Sequence, residues 1–337
     1  MSRVTISVAL GAAVLGAVLS ASRPAEATLA LTAAGVADGF VLTTFVSGYN
    51  FGGGINYGPL AEGILPNGNV VTGSFGDHKI YVFTDVDNQT LASAVSATPY
   101  TSLTGNPQYA MTTAGGQAYG AQLQGSAPCE LFGSSGAHSA IPGLTATNSL
   151  GIWGNPVNGH IIAAANQGLI DIDPVAGTFR VITSNPGVDG VSVSPDGTTL
   201  YAEAGGNILA YNIATGALLH TYSGNGHGPD GTGVISGGTF NGFIIVNNND
   251  GTIGLIDPSL GTETIIAGGG TRGDFVSPDT SNGTLFLSQL EEVARLSCGP
   301  GCSIGGGGGP GTGVPEPATL GLLASALLGF GFLRRKG

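Results

Sequence analysis

Basic residues are almost missing from this chain: Lys and Arg together number nine in 337 residues, against 21 Asp and Glu. Five of the nine stand at the ends, as Arg3, Arg23, Arg334, Arg335 and Lys336, so the body keeps only Lys79, Arg180, Arg272 and Arg295. With nineteen acids between residues 28 and 313, that body carries about −15. Such a surface repels phosphate backbones, which excludes nucleic acid as a partner. It suits cations, or neutral polar partners such as glycans. Cysteine is scarce too, at three residues, and histidine at five. His78, His138, His160 and His220 have no ligand spacing among them, so no zinc cluster is written in the chain. Long helical periodicity is absent between Ala37 and Cys302. What fills that space is glycine, 61 in all, with Pro, Asn and Asp between short β-rich runs.

The two ends read as targeting segments. Arg3 supplies a positive start, Val4 to Leu19 an apolar run, and Ala25-Glu26-Ala27 a small-residue cleavage site, so residues 1–27 form a signal peptide with an N-terminal signal helix. Residues 303–313 are a Gly-rich linker with no side chains from which to build a core. Ala318 to Leu333 then runs sixteen residues without a charge, a short hydrophobic helix. At about 1.5 Å per residue it spans roughly 24 Å, less than a hydrocarbon core of ~30 Å. Arg334, Arg335 and Lys336 would hold its end in the cytoplasm and leave the body beyond the inner membrane. Val314-Pro315-Glu316-Pro317, the apolar helix and the basic terminus resemble the PEP-CTERM sorting signal, here 314–337. That resemblance implies an exported protein of Gram-negative, exopolysaccharide-making bacteria. It also implies an exosortase-type partner that cuts near Pro315-Glu316-Pro317, so that anchoring in the inner membrane is transient.

Between the ends, one unit repeats. A turn glycine before an apolar strand recurs at Gly68, Gly116, Gly159, Gly197, Gly242 and Gly283, with gaps of 48, 43, 38, 45 and 41 residues. A second marker keeps the same beat, a strand running into a turn: "VFTDVDNQT", "LIDIDPVAGT", "LAYNIATGA" and "GLIDPSLGT". A unit of about 43 residues holding four short strands is a propeller blade. The expectation is therefore an all-β, six-bladed β-propeller of four-stranded blades over 37–302. "DGFVLTTFV" (Asp38 to Val46) precedes the first full unit, and the last unit, ending "LEEVARLSC", lacks its outer strand. The first segment should complete the last blade and remove the open edges. In an oxidising compartment Cys298-Gly-Pro-Gly-Cys302 closes a small disulfide and leaves Cys129 over. A CxxxC metal clip is the alternative, and would need further ligands.

The loop before each innermost strand opens at one mouth of the ring. The residues there read Glu62, Tyr109, Leu150 (beside Asn148 and Ser149), Asp189, Asp230 and Asp274. Four of the six are carboxylates. Converging like charges must be neutralised by a cation or by protons. Oxygen ligands of this kind suit Ca²⁺ or another hard divalent ion, with Glu203 as a further candidate. The plainer reading is that Asp before Gly caps its own turn. His227 lies at the same mouth, three residues before Asp230, as an acid, base or ligand candidate or a solvated loop histidine. Arg272-Gly273-Asp274 falls within a repeated blade turn and reads as structural. Ser194-Pro195-Asp196-Gly197 reads as a turn, and Trp153 as core.

"GVDGVSVSPDGTTLYAEAGGNILAYNIATG" resembles a blade of the NHL, lactonase-type and streptogramin-lyase-type propellers. "LAEGILPNGNVVTG" with "DHKIYVF" is similar to the opening blade of gluconolactonases. That resemblance implies a metal ligand at Glu62, with Asn and Asp ligands on later blades. This chain has Asp189 where Asn is expected and Glu203 where Asp is expected. Two functions follow. One is a non-enzymatic module at the cell surface or in the exopolysaccharide matrix, presenting an acidic disc to a glycan or surface protein. The other is a divalent-metal-dependent hydrolase or lyase at the Glu62/Asp189/Asp230/Asp274 mouth.

Overall fold

The computed structural model describes residues 28–49, 58–99, 109–122, 129–145, 150–184, 186–298 and 302–304. Six sheets follow one another along the chain, antiparallel throughout except where Val46–Ser47 meets Gln89–Thr90 in parallel. Blades 1 to 6 span 59–99, 109–140, 152–183, 191–223, 229–268 and 276–297. Each of the first five is a four-strand meander from the innermost strand outward. All six marker glycines hold φ between +71° and +86°, in the tight turn that joins the first strand to the second. A side chain there would be strained, which is why the repeat keeps glycine. The second marker is also a turn: Asp173, Asn212 and Asp257 each accept a hydrogen bond from the amide two or three residues on, at 2.8–2.9 Å.

Blade 6 has only three strands of its own, Val276–Asp279, Thr284–Ser288 and Glu292–Ser297. The N-terminal strand Val41–Ser47 supplies the fourth, antiparallel, from Val41 opposite Ser297 to Ser47 opposite Glu292. Ala30–Leu31 pairs with the outer strand of blade 5, and the short helix Ala33–Ala37 bridges the two contacts. The N-terminus thus closes the ring as its sequence required. Phe45 is fully buried against Phe83 of blade 1 and Phe286 of blade 6. Arg295 lies over Phe45 and Phe286, 4.8 and 5.1 Å from the ring centres. It pairs with Asp85, with Asp87 at 2.8 Å and with Asp279 at 3.2 Å. Thr43 donates to Asp87 at 2.7 Å, so one buried cation joins the N-terminal strand, blade 1 and blade 6.

Cys302–Ile304 adds a short strand to the inner edge of Pro229–Gly237 in blade 5, with Ile304 opposite Ile235. Cys298 is disulfide-bonded, and Cys129 is free and buried. The side chain of Cys302 lies outside the described residues, as do residues 1–27, nearly all of the Gly-rich linker and the apolar run 318–333. Among the described residues no helix is long and apolar enough to cross a membrane. Trp153 is 3% exposed within the hydrophobic core, as its sequence setting suggested.

Candidate functional site

Inner strands begin on one face, here the upper face. In blades 3, 4 and 6 the same backbone pattern opens the strand. The amides of Leu150, Asp189 and Asp274 donate to the carbonyls of Ala164, Glu203 and Ser288 at 3.0, 3.3 and 3.1 Å. The following carbonyls, of Gly151, Gly190 and Phe275, accept from those same partners at 2.8–3.0 Å. Asp230 occupies this position in blade 5, on a bulge between Pro229 and Gly231. Leu150, Asp189, Asp230 and Asp274 are therefore equivalent. Asn148 and Ser149, and the side chain of Tyr109, lie outside the described residues.

The glycines after these residues do not serve turns. A Cβ on Gly151 would strike the carbonyl of Asp189, one on Gly190 that of Asp230, and one on Gly231 that of Asp274. Each glycine lets the next blade's acid-bearing loop approach, so the Asp-Gly pairs stack loop on loop around the axis. Asn247 fixes the last step: its Nδ2 donates to the carbonyls of Ser288, Phe275 and Asp274 at 2.8, 3.2 and 3.3 Å. These aspartates do not cap their own turns. Their side chains meet one another instead.

Arg272 is the cation among them. Its Nη2 donates to Oδ2 of Asp230 at 2.6 Å and its Nη1 to Oδ2 of Asp274 at 2.8 Å, one guanidinium joining blades 5 and 6. The carboxyl groups of Asp189 and Asp230 are hydrogen-bonded to one another, and burial raises both above the ordinary carboxylate range. Burial, and then the charges of Asp274 and Asp189, push Asp230 up to about 9. Burial raises Asp274 to about 7 against the pull of Arg272. Burial and the nearby Asp189 raise Glu203 to about 7. Asp230, Asp274 and Glu203 are 5%, 7% and 7% exposed, while Asp189 and Arg272 are half-buried and form the accessible rim.

Glu62 stands apart. Blade 1 carries a bulge between Pro59 and Glu62, and Glu62 pairs opposite Thr72, level with Val191 of blade 4. It lies deeper than the mouth and is fully buried. Ser288 donates to its carboxyl at 3.3 Å, and its amide donates to Ser277 at 3.0 Å. Burial pushes it up to about 8, with Asp274 adding to the rise. The mouth thus brings together Asp189, Asp230, Asp274 and Glu203, with Glu62 sealed below them. His227 is not paired with Asp230: its Nδ1 meets Oδ2 of Asp250 at 2.6 Å, which raises its pKa and places it in the outer loops.

Sequence reasoning named Arg272 only as part of a turn and did not name Asn247. The available signal for Arg272 was scarcity: it is one of only four bases in the body and stands two residues before Asp274. The structure pairs the other three elsewhere, Lys79 with Asp77, Arg180 with Asp171 and Arg295 with the closure acids. The resemblance to gluconolactonases implies a divalent ion at these acids, and the side chains do not fit one. One oxygen of each of Asp230 and Asp274 is already taken by Arg272, whose positive charge stands between them, and Glu62 lies below the level of Asp189 and accepts from Ser288. Among the described residues no group of three or more His, Cys, Asp or Glu is set to hold a metal ion. Ser194–Gly197 is a turn closed by Gly197 donating to Ser194 at 2.9 Å. It borders a groove of about 450 Å³ on the lower face, away from the acids.

Comparison with known proteins agrees with both halves of this description. Residues 313–336 match the PEP-CTERM protein-sorting motif, which implies an exported protein of Gram-negative bacteria processed by an exosortase. No curated protein matches the chain. Among solved structures, a gluconolactonase from Xanthomonas campestris is similar over 80% of this chain and 94% of its own, at 14% identity and a TM-score of 0.57. A calcium-binding regucalcin from Agrobacterium tumefaciens is similar over 77% and 96%, at 12% identity and a TM-score of 0.51. A streptogramin B lyase matches over 77% and 98%, at 14% identity and a TM-score of 0.48. The first two likenesses agree with the fold, an all-β six-bladed propeller, and the chain carries a PEP-CTERM sorting motif at its end.

Proposed function

We propose that the mature protein is an exported binding module whose upper mouth recognises a neutral, hydroxyl-rich partner, such as the exopolysaccharide of the producing cell or a glycan on a surface protein. The sorting tail would hold the chain at the inner membrane until an exosortase cuts near Pro315-Glu316-Pro317, and the propeller would then act at the cell surface or in the matrix.

The observation that carries this reading is the pairing of Arg272 with Asp230 and Asp274 beside the half-buried Asp189. A guanidinium donor and a carboxylate acceptor, Arg272 and Asp189, stand together on the accessible rim, and vicinal hydroxyls bind by accepting from one and donating to the other. The overall acidity favours a neutral partner over an anionic one. Calorimetric titration of the purified chain with purified exopolysaccharide tests the proposal. Saturable binding that weakens about tenfold in Asp189→Asn supports it. Equal binding by both proteins, or none, removes the mouth from the account.

A hydrolase or lyase at the same acids is the second reading. It is favoured by two largely buried carboxyl groups, Asp230 and Asp189, held against one another and both raised above the ordinary carboxylate range, an arrangement that suits an acid–base pair. Turnover in a panel of lactones and uronic-acid polymers would establish it, and that turnover must be lost in Asp230→Asn.

A further inference from the structure

Carboxylates converging from adjacent blades are neutralised by a cation, by protons, or by both. In this chain the cation is supplied by the chain itself. Arg272 enters from the loop immediately before Asp274, and that loop has little freedom. The amide of Gly273 donates to the Asn248 carbonyl at 3.0 Å, and a Cβ at Gly273 would strike the Asn247 side chain. Thr271 accepts a hydrogen bond from the Leu290 amide at 2.9 Å. The guanidinium is therefore positioned before any ligand arrives.

Its two amine nitrogens take Oδ2 of Asp230 and Oδ2 of Asp274 at 2.6 and 2.8 Å. An ion bridging blades 5 and 6 at this mouth would have only the second oxygen of each carboxylate left to it and would sit against a fixed positive charge. Guanidinium and ion thus compete for the same pair of carboxylates. The planar fork is permanently charged and matches two separate carboxylates, which a lysine ammonium would do less well. We infer that Arg272 is the resident cation of the mouth, standing where a divalent ion would otherwise join Asp230 and Asp274, and that the mouth works without metal. The inference does not depend on which ligand the rim binds.

Two consequences can be read directly. Removing the guanidinium should leave acids from adjacent blades uncompensated, a set of oxygen donors of the kind hard divalent cations take. Restoring a positive charge should close the site again. The test is calorimetric titration of the full chain with Ca²⁺, repeated with Mn²⁺, for the wild type, Arg272→Ala and Arg272→Lys. Wild type and Arg272→Lys should give no saturable heat at millimolar ion. Arg272→Ala should bind, at least about tenfold more tightly than any residual wild-type affinity, and should lose that binding when Asp230→Asn is added. Should the alanine variant not fold, as judged by circular dichroism, Arg272→Gln carries the same expectation because it keeps amide donors for the two carboxylates. Saturable ion binding by wild type that disappears in Asp230→Asn overturns the inference. So does a folded Arg272→Ala or Arg272→Gln that binds no ion.

Discussion

Glu62 is the residue in which burial and charge conflict most openly. It is fully enclosed, its carboxyl meets Ser288 rather than a base, and it holds its proton up to about 8. The unfolded chain releases that proton near the ordinary value of 4.5. Between those two pH values the folded state binds more protons than the unfolded one, so stability falls as pH rises through the window. Asp230, Asp274 and Glu203, all raised, act with the same sign. The expected outcome is a melting temperature that drops from pH 5 to pH 9 in wild type and drops less in Glu62→Gln. Above about pH 8 the variant should melt higher than wild type. A melting curve series across that range is the check, and parallel slopes in the two proteins would refute the assignment. Sequence placed Glu62 beside the other acids because spacing counts residues. A bulge changes which residue faces the mouth without leaving a mark in the spacing.

At the scale of the element, the inner-strand glycines and the N-terminal strand do most to shape the ring. Gly190 and Gly231 have no room for a Cβ against the carbonyls of Asp230 and Asp274. Substituting either by Ala should cost about 1–3 kcal/mol by overpacking, read as a lower denaturation midpoint. Each change should also separate adjacent acids and weaken ligand binding at the rim. The closing strand Val41–Ser47 brings Phe45 into a cluster with Phe83 and Phe286. Phe45→Ala should cost about 3–5 kcal/mol, and a chain lacking residues 28–47 should lose its single cooperative unfolding transition. A truncated chain that still melts in one step at the wild-type temperature would show that the ring does not need this strand. The strand repeat, the turn glycines and the closure were legible because backbone geometry repeats at a fixed period. Arg295 and its three aspartates were not legible, since that contact joins residues 210 apart in sequence with no shared motif.

The whole molecule combines an acidic propeller with a sorting motif at residues 313–336. The motif was readable because it is a short contiguous pattern at a chain end. The mouth was less readable, because blades 4, 5 and 6 contribute its acids and Arg272, which joins two of them, carries a charge of the opposite sign. The fold is shared with a gluconolactonase and a calcium-binding protein, yet a shared fold does not by itself transmit chemistry. The central claim is therefore that a guanidinium, not an ion, holds Asp230 and Asp274 together. Crystals of the propeller soaked in manganese, with diffraction recorded for anomalous signal, test it most directly. The account predicts no anomalous peak among Asp189, Asp230 and Asp274, with Arg272 still bridging the last two. A strong peak between those carboxylates, with Arg272 displaced into solvent, would contradict it.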